Sequence, residues 1–327
     1  MGEIERLLPG TKVSEWAATA IAVNPGFIDT TAAYWAGGGG PEVTTVDKLA
    51  FADDSLTTLS TGLSSARGYL GGMANSGVAA YFGGGNTTSP AGEVDKFAFS
   101  NDGRSTLGTG LSSARTDGLA GAGNSGVAGY FAGGYINNAV IDTVDKFAFS
   151  NDGRTTLGTG LSGSNRTLAG AANNGVAAYF GGGLGTAGSS VATVDKFAFS
   201  NDSRSTLGTG LSYARRSLAA MANSGTAGYW AAGEGGGSAA TTTVDKFAFS
   251  NDSRSTLGTG LAVAKYYLAG AAKSGTAGYF AGGTNASYAS TANADKFAFA
   301  DDSRTNVAAA MSSNRQSLAG AANSGTL

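Results

Sequence analysis

Residues 194–202 read VDKFAFSND, and this stretch decides the fold because it recurs along the chain. The same nine letters or close variants of them stand at 46–54, 94–102, 144–152, 244–252 and 294–302. Successive Asp-Lys pairs are separated by 48, 50, 50, 50 and 50 residues. The sequence between them also recurs, as RSTLGTGL, LAGAANSG and GYFAGG. Self-similarity at this period predicts a repeat architecture with one small structural unit per repeat.

One repeat divides into four short segments with the properties of β-strands, at 168–174, 176–180, 194–200 and 204–211. The first is made almost entirely of Leu, Ala and Gly, and the second is apolar and is followed by glycines. The third alternates, which places Phe197 and Phe199 on one face and Lys196 on the other. Short turns of Asn, Asp, Ser and Gly join the first segment to the second and the third to the fourth, as tight hairpins require. Gly interrupts every window, so no amphipathic helix is predicted.

Six copies of a four-stranded antiparallel unit predict an all-β fold, a six-bladed β-propeller over residues 31–327. Residues 318–327 repeat the innermost strand, whereas 33–38 supply a second strand with no ordinary first strand before it. We expect the C-terminal strand to pair with the N-terminal blade and close the ring. In the alternative, residues 16–23 provide that first strand, and the C-terminal strand pairs elsewhere, for example with another chain. Residues 1–30 are predicted to form an N-terminal arm or a surface strap.

Each repeat has a characteristic order of features: an Arg, a strand of small residues, paired aromatics, Gly, a variable loop, an Asp-Lys-Phe strand, a turn and a fourth strand. The order can be followed at Arg215, 218–223, Tyr229, Trp230, Gly233, 244–250 and 254–261. In this order the chain resembles the kelch-repeat family, which implies the same six-bladed propeller over roughly residues 31–327. One feature departs from the family, whose fourth strand usually carries a Trp. No aromatic stands near Leu107, Leu157, Leu207 or Leu257.

The composition excludes several kinds of site. The 327 residues include 54 Gly but no Cys and no His, the net charge is −2, and 13% of the residues are charged. Without Cys and His there is no disulfide, no Ser-His-Asp triad, no Cys nucleophile and no zinc site of the usual kind. We therefore expect no enzymatic activity, no cofactor and no metal. The near-neutral charge argues against nucleic-acid binding, and no apolar run is long enough for membrane insertion.

The copies differ from one another mainly in the loop after the second strand and in the link from the fourth strand to the next repeat. Because strands alternate in direction, loop and link emerge on one side of the disc, and the nearly uniform NSG and SND turns emerge on the other. Tyr and Arg, which dominate binding hot spots, are enriched in the variable segments. The candidate ligand-binding residues are Tyr69, Arg115, Asp117, Tyr135, Arg166, Tyr213, Arg215, Arg216, Lys265, Tyr266, Tyr267 and Arg315. The basic ones, with Arg67, are predicted to ring the central mouth. Alternatively, these segments vary because nothing constrains them.

The Asp-Lys pairs have a structural interpretation. Adjacent strand residues point to opposite faces, so Asp195 faces one neighbouring blade and Lys196 the other. This predicts a ring of ion pairs between blades, each joining an Asp to a Lys of an adjacent blade, and such pairs fix register. The residues assigned to this ring are Asp95, Lys96, Asp145, Lys146, Asp195, Lys196, Asp245 and Lys246. On this view Asp195→Ala leaves a Lys unpaired and lowers the melting temperature.

These features favour a non-enzymatic binding module, a rigid disc that presents diversified loops on one face. The near-identical repeats resemble those of adhesins and phage tail or receptor-binding proteins built on kelch-like propellers, which implies a cell-surface glycan or protein as the partner. Residues 1–12 lack the apolar core of a secretion signal, which fits a virion protein assembled in the host cytoplasm. Residues 1–30 would then contact other virion proteins. Two alternatives are a structural virion component, docked by its uniform face or its N-terminal arm, and a cytoplasmic protein-protein interaction scaffold.

Overall fold

The computed structural model describes residues 31–236, 239–308 and 310–324. They form six four-stranded antiparallel sheets, arranged as blades around a central axis, and this confirms the predicted six-bladed β-propeller. No helix in this part of the chain has the length and hydropathy needed to cross a bilayer. The predicted arm at 1–30 and the alternative first strand at 16–23 lie outside the described residues.

Each blade runs from an inner strand, next to the axis, through a second and a third strand to an outer strand. In that order, blade 1 consists of Ala319–Asn323, Ala32–Ala36, Val46–Ala50 and Leu56–Thr58. Blade 2 consists of Gly71–Asn75, Ala79–Gly83, Val94–Ala98 and Arg104–Thr106. Blade 3 consists of Ala120–Asn124, Ala128–Ala132, Val144–Ala148 and Gly153–Thr156. Blade 4 consists of Ala169–Asn173, Ala177–Gly181, Val194–Ala198 and Arg204–Thr206. Blade 5 consists of Ala219–Asn223, Ala227–Ala231, Val244–Ala248 and Ser253–Thr256. Blade 6 consists of Ala269–Lys273, Ala277–Ala281, Ala294–Ala298 and Arg304–Val307.

Six two-residue strands add short pairings outside the blades. They are Tyr135–Ile136, Ala139–Val140, Asn165–Arg166, Leu184–Gly185, Lys265–Tyr266 and Thr284–Asn285.

The ring is closed by the two ends of the described chain. Ala319–Asn323 pairs antiparallel with Ala32–Ala36, with Ala321 opposite Tyr34. Blade 1 is thus built from both ends of the chain, as predicted from the repeat of the innermost strand near the C-terminus. This pairing covers edges that two incomplete sheets would otherwise expose.

The inner strands are rich in Gly and Ala because neighbouring blades approach most closely around the axis. A Cβ added at Gly121 would overlap the carbonyl oxygen of Gly72 in the preceding blade, and one at Gly170 would overlap that of Gly121. Only residues with little or no side chain fit there.

Aromatic residues fill the wider gaps between blades. The second strands are completely buried, and Tyr81 of blade 2 stacks on Phe149 of blade 3 with ring centroids 5.1 Å apart. Buried apolar residues form six clusters, each shared by two neighbouring blades. Each blade therefore buries both faces only in the assembled ring, which makes the disc a rigid scaffold for its loops.

The ion pairs between blades exist, but their partners differ from the prediction. Each third-strand Lys bonds to an Asp in the three-to-four turn of the next blade, as Lys96 does with Asp152 at 2.7 Å. The third-strand aspartates instead face the link that leads into their own blade, where Arg67 pairs with Asp95 at 2.6 Å. The prediction paired Asp with Lys because it considered strand positions alone, whereas turns and links supply the counter-ions.

The outer strands are shorter than predicted. In blade 4 the outer strand ends at Thr206, although the prediction continued to residue 211. The backbone N–H of Leu211 donates to the carbonyl of Ala192, in the loop after the second strand, at 2.8 Å. Residues 208–211 therefore leave the edge of the sheet, and Leu211 lies against the loop after the second strand.

Candidate functional site

The links and the loops after the second strands lie together on one side of the disc, as predicted. Asn165–Arg166 pairs with Leu184–Gly185, and Lys265–Tyr266 pairs with Thr284–Asn285. Single bridges join link to loop in other blades, between Gly68 and Asn86, Thr116 and Tyr135, and Arg216 and Glu234. We call this side the loop face, and the side that carries the one-to-two and three-to-four turns the turn face.

One residue from each link forms a closed ring around the axis on the loop face, which we call the axial ring. Its members are Tyr69, Asp117, Thr167, Ser217, Tyr267 and Ser317. Backbone hydrogen bonds of 2.7–3.0 Å connect successive links, for example from the N–H of Ser317 to the carbonyl of Tyr267. In blade 3, Gly118 provides the donor in place of its neighbour Asp117.

All six members of the axial ring have a left-handed backbone, with φ between 52° and 59°. Residues other than Gly adopt this conformation at a cost, most of all a β-branched residue such as Thr167. Strain of this kind is typical of functional sites, where the surrounding structure holds it in place.

A small cavity of about 70 Å³ lies inside the axial ring. It is lined by five members of the ring, by Gly118 beside the sixth, and by the six leucines that directly precede the inner strands, Leu70, Leu119, Leu168, Leu218, Leu268 and Leu318. Tyr69 meets Tyr267 edge to face with ring centroids 5.2 Å apart, and Tyr266 lies 5.1 Å from Tyr267. The mouth therefore has an apolar floor and an aromatic rim on the side of blades 2 and 6.

The rim also carries charge and hydrogen-bonding groups. Arg216 donates to Glu234 at 2.8 Å. Burial raises the pKa of Tyr266, and the Glu234 carboxylate raises it further. Burial also raises the pKa of Tyr267. Both hydroxyls thus stay protonated at neutral pH, so they can donate hydrogen bonds as well as accept them.

A second charged group joins blades 3 and 4 on the same face. Arg166 pairs with Asp117, and its guanidinium lies 4.4 Å from the ring centroid of Tyr135. The three side chains are partly exposed. Three of the predicted site residues are thus brought together, and the charges of Arg166 and Asp117 offset each other.

A groove of about 330 Å³ opens between blades 4 and 5 on the loop face. Its walls include Ser189 and Ser190 of one loop and Gly235 of the next, with Arg216 from the link. Small and polar walls of this kind suit a hydrophilic ligand more than an apolar one.

The predicted ring of cations at the mouth is not formed. Arg115, Arg215, Lys265 and Arg315, together with Arg67, are exposed by 2% or less. Each pairs with the third-strand Asp of the blade it leads into: Asp145, Asp245, Asp295, Asp47 and Asp95 respectively. These cations tie links to blades, and none is accessible to a ligand. Burial lowers the pKa of Arg115, an effect that the nearby Asp145 partly offsets.

The other candidates remain on the loop face to different degrees. Tyr69, Asp117, Tyr135, Arg166, Tyr213, Arg216 and Tyr267 are partly exposed, and Tyr266 is 7% exposed. Tyr213 covers the buried Arg215, whose guanidinium lies 5.0 Å from its ring centroid. The axial ring was not foreseen as a unit, because Tyr, Thr and Ser give no sign of a left-handed backbone.

Comparison with known proteins shows similarity of fold only. A solved structure titled "Structure of YjhT" matches with a TM-score of 0.64, covering 78% of this chain and 87% of that chain at 12% sequence identity. No family model matches the sequence. No curated protein matches it either.

Proposed function

We propose that the chain is a non-enzymatic binding module that recognises a glycan through its loop face. The observation that carries this proposal is the axial ring, in which six strained residues hold an aromatic rim over a preformed mouth. Variable residues on a rigid scaffold are the usual arrangement of a recognition surface, and in this chain the scaffold is a closed propeller.

The chemistry of the loop face favours a glycan over a protein. Tyrosine rings pack against the apolar faces of sugars while their hydroxyls hydrogen-bond. The Arg216–Glu234 pair supplies a donor and an acceptor beside the groove between blades 4 and 5. The mouth and the groove are both small, whereas a stable protein interface needs a larger complementary surface.

We place the glycan on the surface of a cell. The kelch-like order of features and the near-identity of the repeats support a phage tail or adhesin-like protein that binds a cell-surface glycan. As a virion protein it would be assembled in the host cytoplasm.

The test is binding to a glycan array and to intact bacterial cells, with variants built from residues that other blades already carry. Tyr69→Ser with Tyr267→Ser places in blades 2 and 6 the residue that holds the same left-handed position at Ser217 and Ser317. Arg216→Gln copies Gln316. We expect the triple variant to remain folded at the temperature of the assay and to bind at least tenfold more weakly, since about 1.4 kcal/mol of contact would be lost.

A second candidate function rests on the turn face. Val78, Val127 and Val176 of blades 2 to 4 are 51–56% exposed, whereas blades 5 and 6 carry Thr226 and Thr276 at this position. An arc of exposed valines fits docking to another protein, as in a structural virion component. Changing the three valines to Thr gives the matched control for the loop-face variant.

The two variants separate the proposals. Loss of cell or glycan binding in the loop-face variant alone supports glycan recognition. Unchanged binding in that variant, or binding to surface proteins but to no glycan, contradicts it. Loss of assembly into virions in the turn-face variant alone supports the structural function.

A further inference from the structure

Blade 4 departs from the other five at one position of the link, whose residue is buried in those five blades. The fourth residue of the link is a cation in five blades, namely Arg67, Arg115, Arg215, Lys265 or Arg315. In blade 4 it is Asn165. The Arg of this link stands one residue later, at Arg166, and bonds to Asp117 on the loop face. Asn165 therefore replaces a buried cation, while the aspartate that such a cation pairs with is retained as Asp195.

Arg115 and Arg315 show what this position binds in the other blades. The Nη1 of Arg115 donates to the carbonyls of Gly133 and Thr143, both at 3.1 Å, and its Nη2 bonds to Asp145. Arg315 makes the same three bonds to blade 1, to Gly37, Thr45 and Asp47. Two backbone carbonyls and one carboxylate thus form a set of acceptors that matches a planar guanidinium.

In blade 4 the corresponding acceptors are Gly182, Thr193 and Asp195. Asn165 Nδ2 donates to the Gly182 carbonyl at 2.5 Å, which satisfies one of the three. Its Oδ1 is buried and has no hydrogen-bond partner within the described part of the chain. The Asn165 side chain thus replaces one bond of the missing guanidinium and adds one acceptor.

Asp195 is 4% exposed and is the exception among the third-strand aspartates. It accepts hydrogen bonds from the N–H and hydroxyl of Ser162, at 2.8 and 2.9 Å, and from Thr206 at 2.6 Å. No residue in 31–236, 239–308 or 310–324 forms an ion pair with it, whereas each of its five counterparts has one. A buried carboxylate without a cation is costly, so a cation that reaches it gains strongly.

A cavity of about 170 Å³ occupies the space beside these groups. Asp195, Thr193 and Asn165 supply its polar lining, and Leu161, Leu168 and Phe180 form apolar walls. Ser162 and Gly163, which are exposed on the loop face, also line the cavity. A ligand could therefore enter from the loop face.

We propose that this cavity is a binding site for a guanidinium group. The carboxylate of Asp195, the carbonyl of Thr193 and the Oδ1 of Asn165 accept its N–H groups, and the apolar walls cover its faces. The group can belong to a small free guanidinium compound or to an arginine side chain of a partner protein. This cavity is separate from the mouth and from the groove between blades 4 and 5, so guanidinium binding there does not depend on recognition of a glycan.

The test compares the native protein with Asn165→Arg, which fills the cavity from within as the other blades do. Guanidinium chloride is added up to about 50 mM, where its denaturing action is slight, against sodium chloride of equal ionic strength. We expect a saturable rise in melting temperature of the native protein, about 2 °C at ten times the dissociation constant. The Asn165→Arg variant should show no rise.

Two further arms decide specificity and source. Calorimetric titration should detect methylguanidinium binding to the native protein and at least tenfold weaker binding to Asp195→Asn; ammonium chloride should not compete. A short peptide with one Arg is compared with the same peptide carrying Lys. Binding of the Arg peptide assigns the site to a partner's side chain, and binding of methylguanidinium alone assigns it to a small compound. An equal effect of guanidinium on the native protein and Asn165→Arg, or equal binding of ammonium, would overturn the proposal.

Discussion

The Nζ of Lys196, in the third strand of blade 4, lies 2.7 Å from Oδ2 of Asp252, in the three-to-four turn of blade 5. The other oxygen of Asp252 accepts a hydrogen bond from the Tyr179 hydroxyl at 2.8 Å. The arrangement recurs at all six interfaces, and its last copy joins Lys296 to Asp54 across the closure of the ring. The turn aspartates have φ between 55° and 58°, a conformation that Asp tolerates better than most residues. One residue thus shapes its own turn and anchors the preceding blade.

Lys196→Met tests the charge contribution at one interface. The two side chains are about a quarter exposed, so we expect the free energy of unfolding to fall by only about 0.5–1 kcal/mol. Asp252→Ala should cost about 2 kcal/mol or more. It also leaves the Tyr179 hydroxyl without its hydrogen-bond acceptor, and it removes a residue suited to a left-handed backbone. Urea unfolding measures both. Equal losses in the two variants would show that the ion pair, and not the turn, holds the interface.

Alkaline pH should destabilise the propeller through its buried tyrosines. Burial and the bond to Asp252 raise the pKa of Tyr179 from 10.0 to about 12. The counterparts Tyr34, Tyr81, Tyr130, Tyr229 and Tyr279 are raised for the same reasons. Because the unfolded chain loses these protons first, stability is complete below pH 10 and falls as pH rises toward the folded pKa.

The expected slope is up to about 1.4 kcal/mol per pH unit for each tyrosine that ionises only on unfolding. Urea midpoints measured between pH 8 and 11 check this. Tyr179→Phe should start from a lower stability at pH 8 and then lose less per pH unit than the native protein. A midpoint that stays constant up to pH 11 would contradict the assignment.

The paired aspartate Asp145 and the unpaired Asp195 allow a matched comparison. Both accept from the Ser at the start of the link and from a Thr of the outer strand, but only Asp145 pairs with an Arg. Asp145→Asn leaves Arg115 buried without its counter-ion, so we expect a loss of about 3–5 kcal/mol. Asp195→Asn leaves no cation unpaired and also removes a buried charge that has no counter-ion, so the weakened hydrogen bonds should cost about 1 kcal/mol or less.

Thermal unfolding of the two variants in the same buffer checks this difference. The result also bears on the expectation that Asp195→Ala leaves a Lys unpaired. The lysines of the adjacent blades, Lys146 and Lys246, bond to Asp202 and Asp302, so both keep their partners when Asp195 is replaced. A loss at Asp195 as large as that at Asp145 would mean that the Ser and Thr hydrogen bonds, rather than the cation, determine the cost.

The architecture could be predicted from the sequence because the features of each strand and turn recur in six repeats. The blades were predicted from the alternation in the third strand and from the small residues in the first. The closure of the ring was predicted from the inner-strand sequence that recurs near the C-terminus. The side of the disc that carries the variable segments followed from strand direction alone.

The side-chain environment of the site was not predictable in the same way. Whether a link Arg points to solvent or to a buried Asp depends on a partner in the third strand of the blade that follows. A signal was nevertheless present: five links carry Arg or Lys at one position and blade 4 carries Asn165. The left-handed backbone of the axial ring has no such signal, since Tyr, Asp, Thr and Ser differ in size and charge and none of them is Gly.

Thr167 offers the sharpest test of strain in the axial ring. It is β-branched, has φ of 52°, and its hydroxyl donates to the neighbouring Arg166 carbonyl at 2.7 Å. Thr167→Gly removes the steric cost of the left-handed backbone, about 1–3 kcal/mol. The greater backbone entropy of Gly in the unfolded chain opposes this gain by about 0.4–1 kcal/mol, so the variant should be more stable by about 1 kcal/mol.

Thr155→Gly is the control, because Thr155 is exposed in the outer strand Gly153–Thr156. This variant should lose about 0.5–1 kcal/mol of stability. Urea unfolding of both variants decides the matter. If Thr167→Gly is stabilised but binds its ligand more weakly, the strain serves recognition; if it is destabilised like Thr155→Gly, the axial ring is held by contacts that outweigh its backbone strain.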